Sequence, residues 1–444
     1  MRGDGRSKAI AAQCMRAADA GAEGKGKWSV RSDEGRRAEK WRILASGGME
    51  RCGDGMPYGR FYALILVILI AVTGVGTAAE AEKLAAIDVS GFRDATHHWR
   101  AIKEPERVMQ MLPDQPSYRP EQVREIAANV LLFQRENGGW PKDYDMLAIL
   151  TEEQKQAVRD SRTRSDTTFD NHTTHTQVEY LARAFVATGD VTMREACVRG
   201  FDFMLAAQYE NGGIPQRAPK GKGIGARITL NDGVMVGVLG VFKSAADGAP
   251  EFAWLDAARR ERAREAVNKG VTCLLKCQIS LGEALTGWCQ QHDEKTFAAV
   301  GARTFELASI CPGDTTEAVY FLMRFEQPSA EIVRAMDAAV AWLRVAQLNG
   351  IRLEKIKAPP VEFYRHNTDS DVVVVNDPKA PPLWARSYEI GTNRPIFASR
   401  DGIKVYSFAE MDRERRTGTA WFVTSPRKLL TSDYAAWRAK VAVK

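Results

Sequence analysis

The chain has 444 residues, of which 27% are charged and 45% hydrophobic. That is the balance of an ordinary globular protein, and it excludes a mostly disordered chain, a collagen and a polytopic membrane protein. The formal net charge is +6, but residues 1–60 hold 13 Lys/Arg against 8 Asp/Glu and the remainder 49 against 48, a surplus of only +1, so bulk charge gives the main body no support as a nucleic-acid binder.

Residues 1–48 are rich in Gly, Ala, Arg and Ser and show no sustained apolar period. They are expected to be disordered and to lie upstream of the true start, because Met49 and Met56 would each give a signal of normal length. Residues 49–79 have the order of a secretory signal: Arg51 and Arg60, then the uncharged run Phe61–Val75, then Gly76-Thr77-Ala78-Ala79. The run has 15 residues, short of the roughly 20 that span a bilayer. The expectation is a secreted or periplasmic protein without stable membrane association after cleavage. Of seven cysteines, Cys197, Cys273, Cys277, Cys289 and Cys311 follow the signal. An odd number cannot all pair within one chain, and buried thiols, with at most one disulfide, are the plain reading.

Residues 80–119 are expected to form an N-terminal extension to a body at 120–444. Within that body Val123, Ile126, Val130 and Phe133 share one helical face, stopped by Asn137-Gly138. Thr151-Glu152-Glu153-Gln154 has capping-box spacing. Helices are expected over 174–187, 190–208, 232–246 and 255–278. Asp314-Thr315-Thr316-Glu317 offers a second capping box, and Pro328-Ser329 opens a helix towards Gln347. Strand signals are few, chiefly Val372–Val375.

A repeat runs through these elements. Leu131-Leu132-Phe133-Gln134 leads to Asn137-Gly138-Gly139-Trp140-Pro141, and Met204-Leu205-Ala206-Ala207-Gln208 leads to Asn211-Gly212-Gly213-Ile214-Pro215. Weaker copies end at Gln278 and Gln347, and the glutamines are 74, 70 and 69 residues apart. Such a period suits two helices with a functional loop between them, and repeated pairs must bury their apolar faces on neighbours. The fold class is therefore all-α dominated: an α/α-toroid-like helical repeat with its loops at one rim. A Pro-, Arg-, Tyr- and Trp-rich C-terminal part, irregular or β-containing, packs over it as part of the same body.

Three loop clusters carry candidate chemistry: Thr168–His175, Thr229–Asp232, and Gln290–Asp293 followed by Ala302–Glu306. Asp170 and Asp232 each precede a helical run, where capping is the ordinary role; their oxygens also suit a hard cation such as Ca2+. His172 and His175, three apart, form with Asp170 a weak zinc pattern without HExxH spacing. No GxGxxG, P-loop or GxSxG string is present, so nucleotide binding and a nucleophile elbow have no support. Arg386, Arg394, Arg400, Arg413, Arg415 and Arg416 interleave with aromatics and offer a carboxylate-binding patch, with solvation the plain role of the last three. Trp140 and Tyr388 are either sugar platforms or core residues, core being the commoner fate.

The strings FQRENGGWPKDYD, TTFDNHTTHTQVEYLARA, QYENGGIPQ, ITLNDGVM, WCQQHDEKT and ARTFEL occur in this order and resemble polysaccharide lyase family 10, the pectate lyases, from about Pro120 to the C-terminus. The chain departs from the usual pattern at His172-Thr173, where Gly-Ala is usual, at Ile214, where an aromatic is usual, and in a longer stretch around Val361–Pro382. The resemblance implies Ca2+-assisted anti-β-elimination of polygalacturonate (pectin), with Ca2+ as cofactor and no nucleic-acid partner, by a monomer. It implies Asp170 and Asp232 as calcium ligands, Arg303 as the catalytic arginine proposed as base, and Lys142, Asn171, Arg386 and Arg400 at the substrate. A protonated Arg303 would instead stabilise the enolate, with another group or hydroxide as base. Two other functions fit the same residues. A helical-toroid glycoside hydrolase acting on a uronate polymer needs two carboxylates about 5–10 Å apart, and a non-catalytic uronate-binding protein needs none.

Overall fold

The structure is a computed structural model that describes residues 84–219 and 221–442. The expected disordered segment 1–48 and signal 49–79 lie outside the described residues. Among them, no helix is long and apolar enough to cross a membrane.

Helix α1 (Arg93–Ala101) precedes four helix pairs: α2 (Val123–Phe133) with α3 (Glu152–Asp160), α4 (His175–Thr188) with α5 (Val191–Ala207), α6 (Val234–Ala246) with α7 (Ala257–Cys277), and α8 (Pro312–Leu322) with α9 (Ala330–Val345). The first member of each pair also packs on the first member of the next, in the order α2, α4, α6, α8. This is the toroid-like repeat expected from the 70-residue period. The apolar faces account for it. In α2, Val123, Ile126, Ala127, Val130 and Phe133 are all buried, and the core they join runs without a break from Ile87 to Trp437. Phe92 and Trp99, around α1, belong to that same core. The five cysteines are buried free thiols.

The repeated glutamines explain why the pairs stay in step. Gln134 Nε2 donates to Gly138 O in its own loop and to Ala196 O on α5, both at 2.9 Å. Gln208 repeats this with Gly212 O at 3.0 Å and Ala266 O on α7 at 2.9 Å, and Gln278 with Thr286 O at 2.7 Å and Ala335 O on α9 at 2.8 Å. One amide thus fixes a loop and the next pair together. Gly138 and Gly212 turn with positive φ where a Cβ would strike the backbone of Arg199 and Lys269, so only glycine fits. A second bracket comes from tryptophan: the indole N–H of Trp140, Trp288 and Trp384 donates to Val130 O, Leu274 O and Leu343 O, each at 2.7 Å. Trp140 and Tyr388 are buried core residues and not sugar platforms.

The capping box at Thr151 is formed, with Gln154 N donating to Thr151 Oγ1 at 3.2 Å and Thr151 N to Gln154 Oε1 at 3.0 Å. The one expected at Asp314 is not. Helix α8 starts at Pro312 with Cys311 as its N-cap, because proline at the first helical position needs no N–H partner and presets φ. Asp314 and Glu317 therefore lie inside the helix.

Strands are short: β1 (Ile228–Thr229) pairs with β4 (Gln291–His292), and β2 (Ser280–Leu281) with β3 (Ala284–Leu285). The exception is a long antiparallel hairpin, β5 (Ile351–Glu362) and β6 (Asn367–Asn376), which takes in the Val372–Val375 strand signal. Helix α10 (Arg413–Gly418) packs against β6. Its arginines are not merely solvated: Arg415 is buried, Arg416 pairs with Asp371 at 2.6 Å, and Arg413 Nε donates to Ser370 O at 3.0 Å.

Candidate active site

The loops that follow successive helix pairs hydrogen-bond to one another edge to edge. Thr168 N donates to Trp140 O at 3.1 Å, Phe169 N to Gln216 O at 2.9 Å, Thr229 N to Ile214 O at 3.0 Å and Leu230 N to Gln290 O at 2.9 Å. This ribbon sets Lys142, Asp170, Gln216, Asp232 and Gln290 in a row along the rim from which α4, α6 and α8 begin. Helix N-termini carry partial positive charge, so the rim favours an anionic ligand. Of the seven non-glycine residues with positive φ among those described, five lie here: Asp143, Asn171, His172, Thr174 and Asp232. Such backbone costs on the order of 1–3 kcal/mol per residue and clusters at working sites.

Asp170 and Asp232 do not cap helices; the N-caps of α4 and α6 are Thr174 and Gly233. Asp170 accepts from Lys142 Nζ at 2.6 Å on one oxygen and from Gln216 Nε2 at 2.9 Å on the other. Burial alone would raise its carboxyl, but the Lys142 ammonium outweighs burial and holds it down to about 2. Asp232 accepts from Asn231 Nδ2 at 2.9 Å and lies near enough to Asp170 for the two carboxyls to shift each other's titration. Its burial, and then the charge of Asp170, push it well above the carboxylate range. Lys142 compensates one charge of the pair, so a second negative charge, on Asp232, calls for a further cation or a proton. The donor set is hard oxygen and fits Ca2+, with positions left for water or a substrate carboxylate. The zinc pattern does not close. The His172 and His175 rings lie directly against Gly233 and Gly237, which the small residues of α6 make room for, and do not converge with Asp170.

Lys142 also donates to Asn171 Oδ1 at 3.2 Å, and Asn171 Nδ2 donates to Asp94 Oδ2 at 2.9 Å. His98, one turn further along α1, lies 3.2 Å from Asn171 Nδ2 and 3.3 Å from Asp143. Sequence reasoning missed Asp94 and His98 within 80–119, although their i,i+4 spacing places both on one face of a helix.

Facing the carboxylates is an arginine pair. Arg303 holds Glu306 in a bidentate pair through one edge of its guanidinium, Nε to Oε2 at 2.7 Å and Nη2 to Oε1 at 2.6 Å. Arg386 Nη2 donates to Gln290 Oε1 at 3.1 Å and to the same Glu306 Oε1 at 3.4 Å. Burial would lower the Arg303 pKa, but Glu306, followed by the charges of Asp170 and Asp232, raises it above its ordinary value. Arg400 stands further out, in a bidentate pair with Glu414 at 3.1 and 2.9 Å. Its guanidinium lies 5.7 Å from the Phe305 ring, on which Arg303 also rests at 4.8 Å. The structure thus brings Lys142, Asp170, Asn171, Asp232, Arg303 and Arg386 together and leaves Arg400 beyond Phe305. Glu306 and Gln290, which orient the arginines, were legible only as members of their strings.

A rim of buried carboxylates facing arginines on paired helices defines a polysaccharide-processing site of the helical-toroid kind. The pectic acid lyase family model matches residues 134–430, and the chain belongs to that family; it is a polysaccharide lyase. Among solved structures it is similar to the family 10 polysaccharide lyase from Cellvibrio cellulosa, with 28% identity over 72% of this chain and 93% of that one and a TM-score of 0.60. A mutant of that lyase in complex with trigalaturonic acid matches with 29% identity over 70% of this chain and 91% of that chain, TM-score 0.59. No curated protein matches the chain.

Proposed function

We propose that this protein is a secreted, monomeric pectate lyase that cleaves polygalacturonate by Ca2+-assisted anti-β-elimination and releases 4,5-unsaturated oligogalacturonides. One observation carries the reading: the buried carboxyls Asp170 and Asp232 lie within electrostatic reach of each other and of the Arg303 and Arg386 guanidiniums, in a chain of the pectic acid lyase family. The complex of the similar Cellvibrio lyase with trigalaturonic acid supports the substrate class.

Asp170 and Asp232 would hold the cation, which when bound neutralises them and the substrate C6 carboxylate and so acidifies the C5 proton. Lys142, Asn171 and Arg386 offer N–H donors to the uronate carboxylates and hydroxyls and fix the sugar over the rim. Arg303 is positioned by Glu306 and is charged near neutral pH. In that form it stabilises the enolate-like charge on the C6 oxygens. Hydroxide takes the C5 proton and becomes water, the C5–H electron pair becomes the C4=C5 double bond, and the C4–O4 bond breaks with O4 leaving as an alkoxide that water protonates. Activity therefore rises towards alkaline pH. The hydrolase reading has less support, because the chain belongs to the pectic acid lyase family.

The test is the ultraviolet absorbance of unsaturated uronate, measured with polygalacturonate at alkaline pH, with Ca2+, with chelator and with Arg303→Ala. A rise that needs both Ca2+ and Arg303 is expected. New reducing ends without absorbance would establish the hydrolase, and binding without turnover the uronate-binding protein.

A further inference from the structure

The β5–β6 hairpin is the one long sheet element among the described residues, and eight of the twelve residues of β5 and four of the ten of β6 stand exposed. A two-stranded ribbon is marginal by itself, so what holds its far end matters. Between Lys357 and Val361 the register slips, Lys357 pairing with Ser370 and Val361 with Thr368. The extra residues include Pro359 and Pro360, which donate no ladder bonds and bend the strand.

The bent tip touches two separate parts of the molecule. On one side Lys103 N donates to Arg365 O at 3.2 Å, and Arg365 Nη1 donates back to Lys103 O at 3.1 Å. Arg365 also pairs with Glu104, and Lys103 with Glu362. Lys103 follows the C-terminus of α1, whose first turns carry Asp94 and His98 against Asn171. On the other side the His366 ring lies over Gly418, and its Nε2 is 2.9 Å from Thr417 Oγ1 on α10. The same helix carries Arg415, whose guanidinium lies 4.6 Å from the Phe305 ring next to Arg303. A chain of contacts therefore runs from Asp170 through Lys142 and Asn171 to α1, from the end of α1 to the hairpin tip, and on through α10 and the Phe305 ring to Arg303. Tyr364 at the apex of the tip is 71% exposed, with the Arg365 guanidinium 4.7 Å from its ring, an aromatic face and a cation suited to a sugar acid.

We propose that the β5–β6 hairpin is a strap that joins the two walls of the uronate cleft and closes it at one end, so that the enzyme engages polygalacturonate near a chain end and releases short products of narrow size range. This rests on the pectate lyase reading. An open cleft admits a polymer anywhere along its length, whereas a bridged one admits only as many units as fit between the reacting bond and the bridge. From Asp94 to Ala101, helix α1 carries its wall roughly 10 Å at about 1.5 Å per residue, which leaves room for a few sugar units.

The test replaces residues 358–369 of the mature protein by Asn-Gly, which closes a type I′ turn on the Lys357–Ser370 pair, and compares product sizes and viscosity loss on polygalacturonate. The wild type is expected to give a few short products and slow viscosity loss. The shortened variant should give a broad ladder and several-fold faster viscosity loss per bond broken. A second variant, Arg365→Ala with His366→Ala, releases both anchors and keeps the length, should the deletion not fold; it is expected to shift in the same direction. A broad ladder from the wild type, or identical patterns from wild type and both variants, would overturn the strap. If the wild type gives no unsaturated product, the lyase reading fails by itself and binding decides the strap. At fixed polymer mass, a strapped cleft binds in proportion to the number of chain ends, and an open one independently of it. Binding that ignores chain ends, or no binding, overturns the proposal.

Discussion

Glu306 holds Arg303 with both of its carboxylate oxygens along one edge of the guanidinium, and the oxygen that accepts from Arg303 Nη2 also accepts from Arg386. One carboxylate therefore sets the position of two cations and keeps Arg303 charged. Glu306→Gln removes the negative charge that raises the Arg303 pKa. The alkaline limb of the activity profile should move to lower pH, and kcat should fall about 10–100-fold as the guanidinium loses its fixed place. A loss of stability alone would leave the pH profile where it was, so the profile, measured by initial rates, is the readout.

The carboxylate pair predicts a thermal response to Ca2+. In wild type, Ca2+ at a hundredfold over its Kd should add about 2.7 kcal/mol, seen as a rise in unfolding temperature. Asp170→Asn and Asp232→Asn should each abolish most of that rise. In chelator the two variants should differ. Asp232→Asn resembles the protonated state that burial already favours and should cost little, whereas Asp170→Asn removes the nearest carboxylate of Lys142 and should destabilise by about 1–3 kcal/mol.

Glu317 gives a second pH dependence. Burial, then the charges of Asp314 and Asp94, push its carboxyl from 4.5 up to about 8. The folded protein therefore holds a proton that the unfolded chain releases above about pH 4.5. Its contribution is complete below that pH and is lost as pH rises through about 8. Glu317→Gln should remove the loss, worth on the order of 5 kcal/mol. Unfolding curves of the two proteins in chelator should converge in acid and separate in alkali, with the variant the more stable.

Gln278→Ala should test the brackets. It leaves the buried carbonyls of Thr286 and Ala335 without their donor, at about 1–3 kcal/mol each. Denaturant unfolding should show a loss of about 2–5 kcal/mol while Ca2+ dependence is retained.

Much of this architecture was legible because it is periodic. The buried face of α2, the Thr151 capping box and the glutamines 74, 70 and 69 apart are local patterns, and each survives in the structure. Asp170 and Asp232 were legible because each stands in a loop of that repeat. What was not legible depends on distant contacts. Nothing near Asp94 announces Asn171, 77 residues away, and nothing in the β5–β6 stretch announces Lys103. The false capping box at Asp314 shows the limit of local rules, since Pro312 two residues earlier decided where α8 begins.

The glutamine brackets have a consequence for how such a chain diversifies. Each ties a fixed point at the end of one helix to a fixed point in the middle of another, and every chemical residue of the rim hangs in the loops between. A loop can lengthen, shorten or exchange side chains without disturbing the scaffold's register. After Gln347 the series stops, since no side-chain hydrogen bond from this glutamine continues it among the described residues. There the chain leaves the repeat and enters the hairpin. The terminus of the series is thus the place where a new appendage can be added without breaking an older joint.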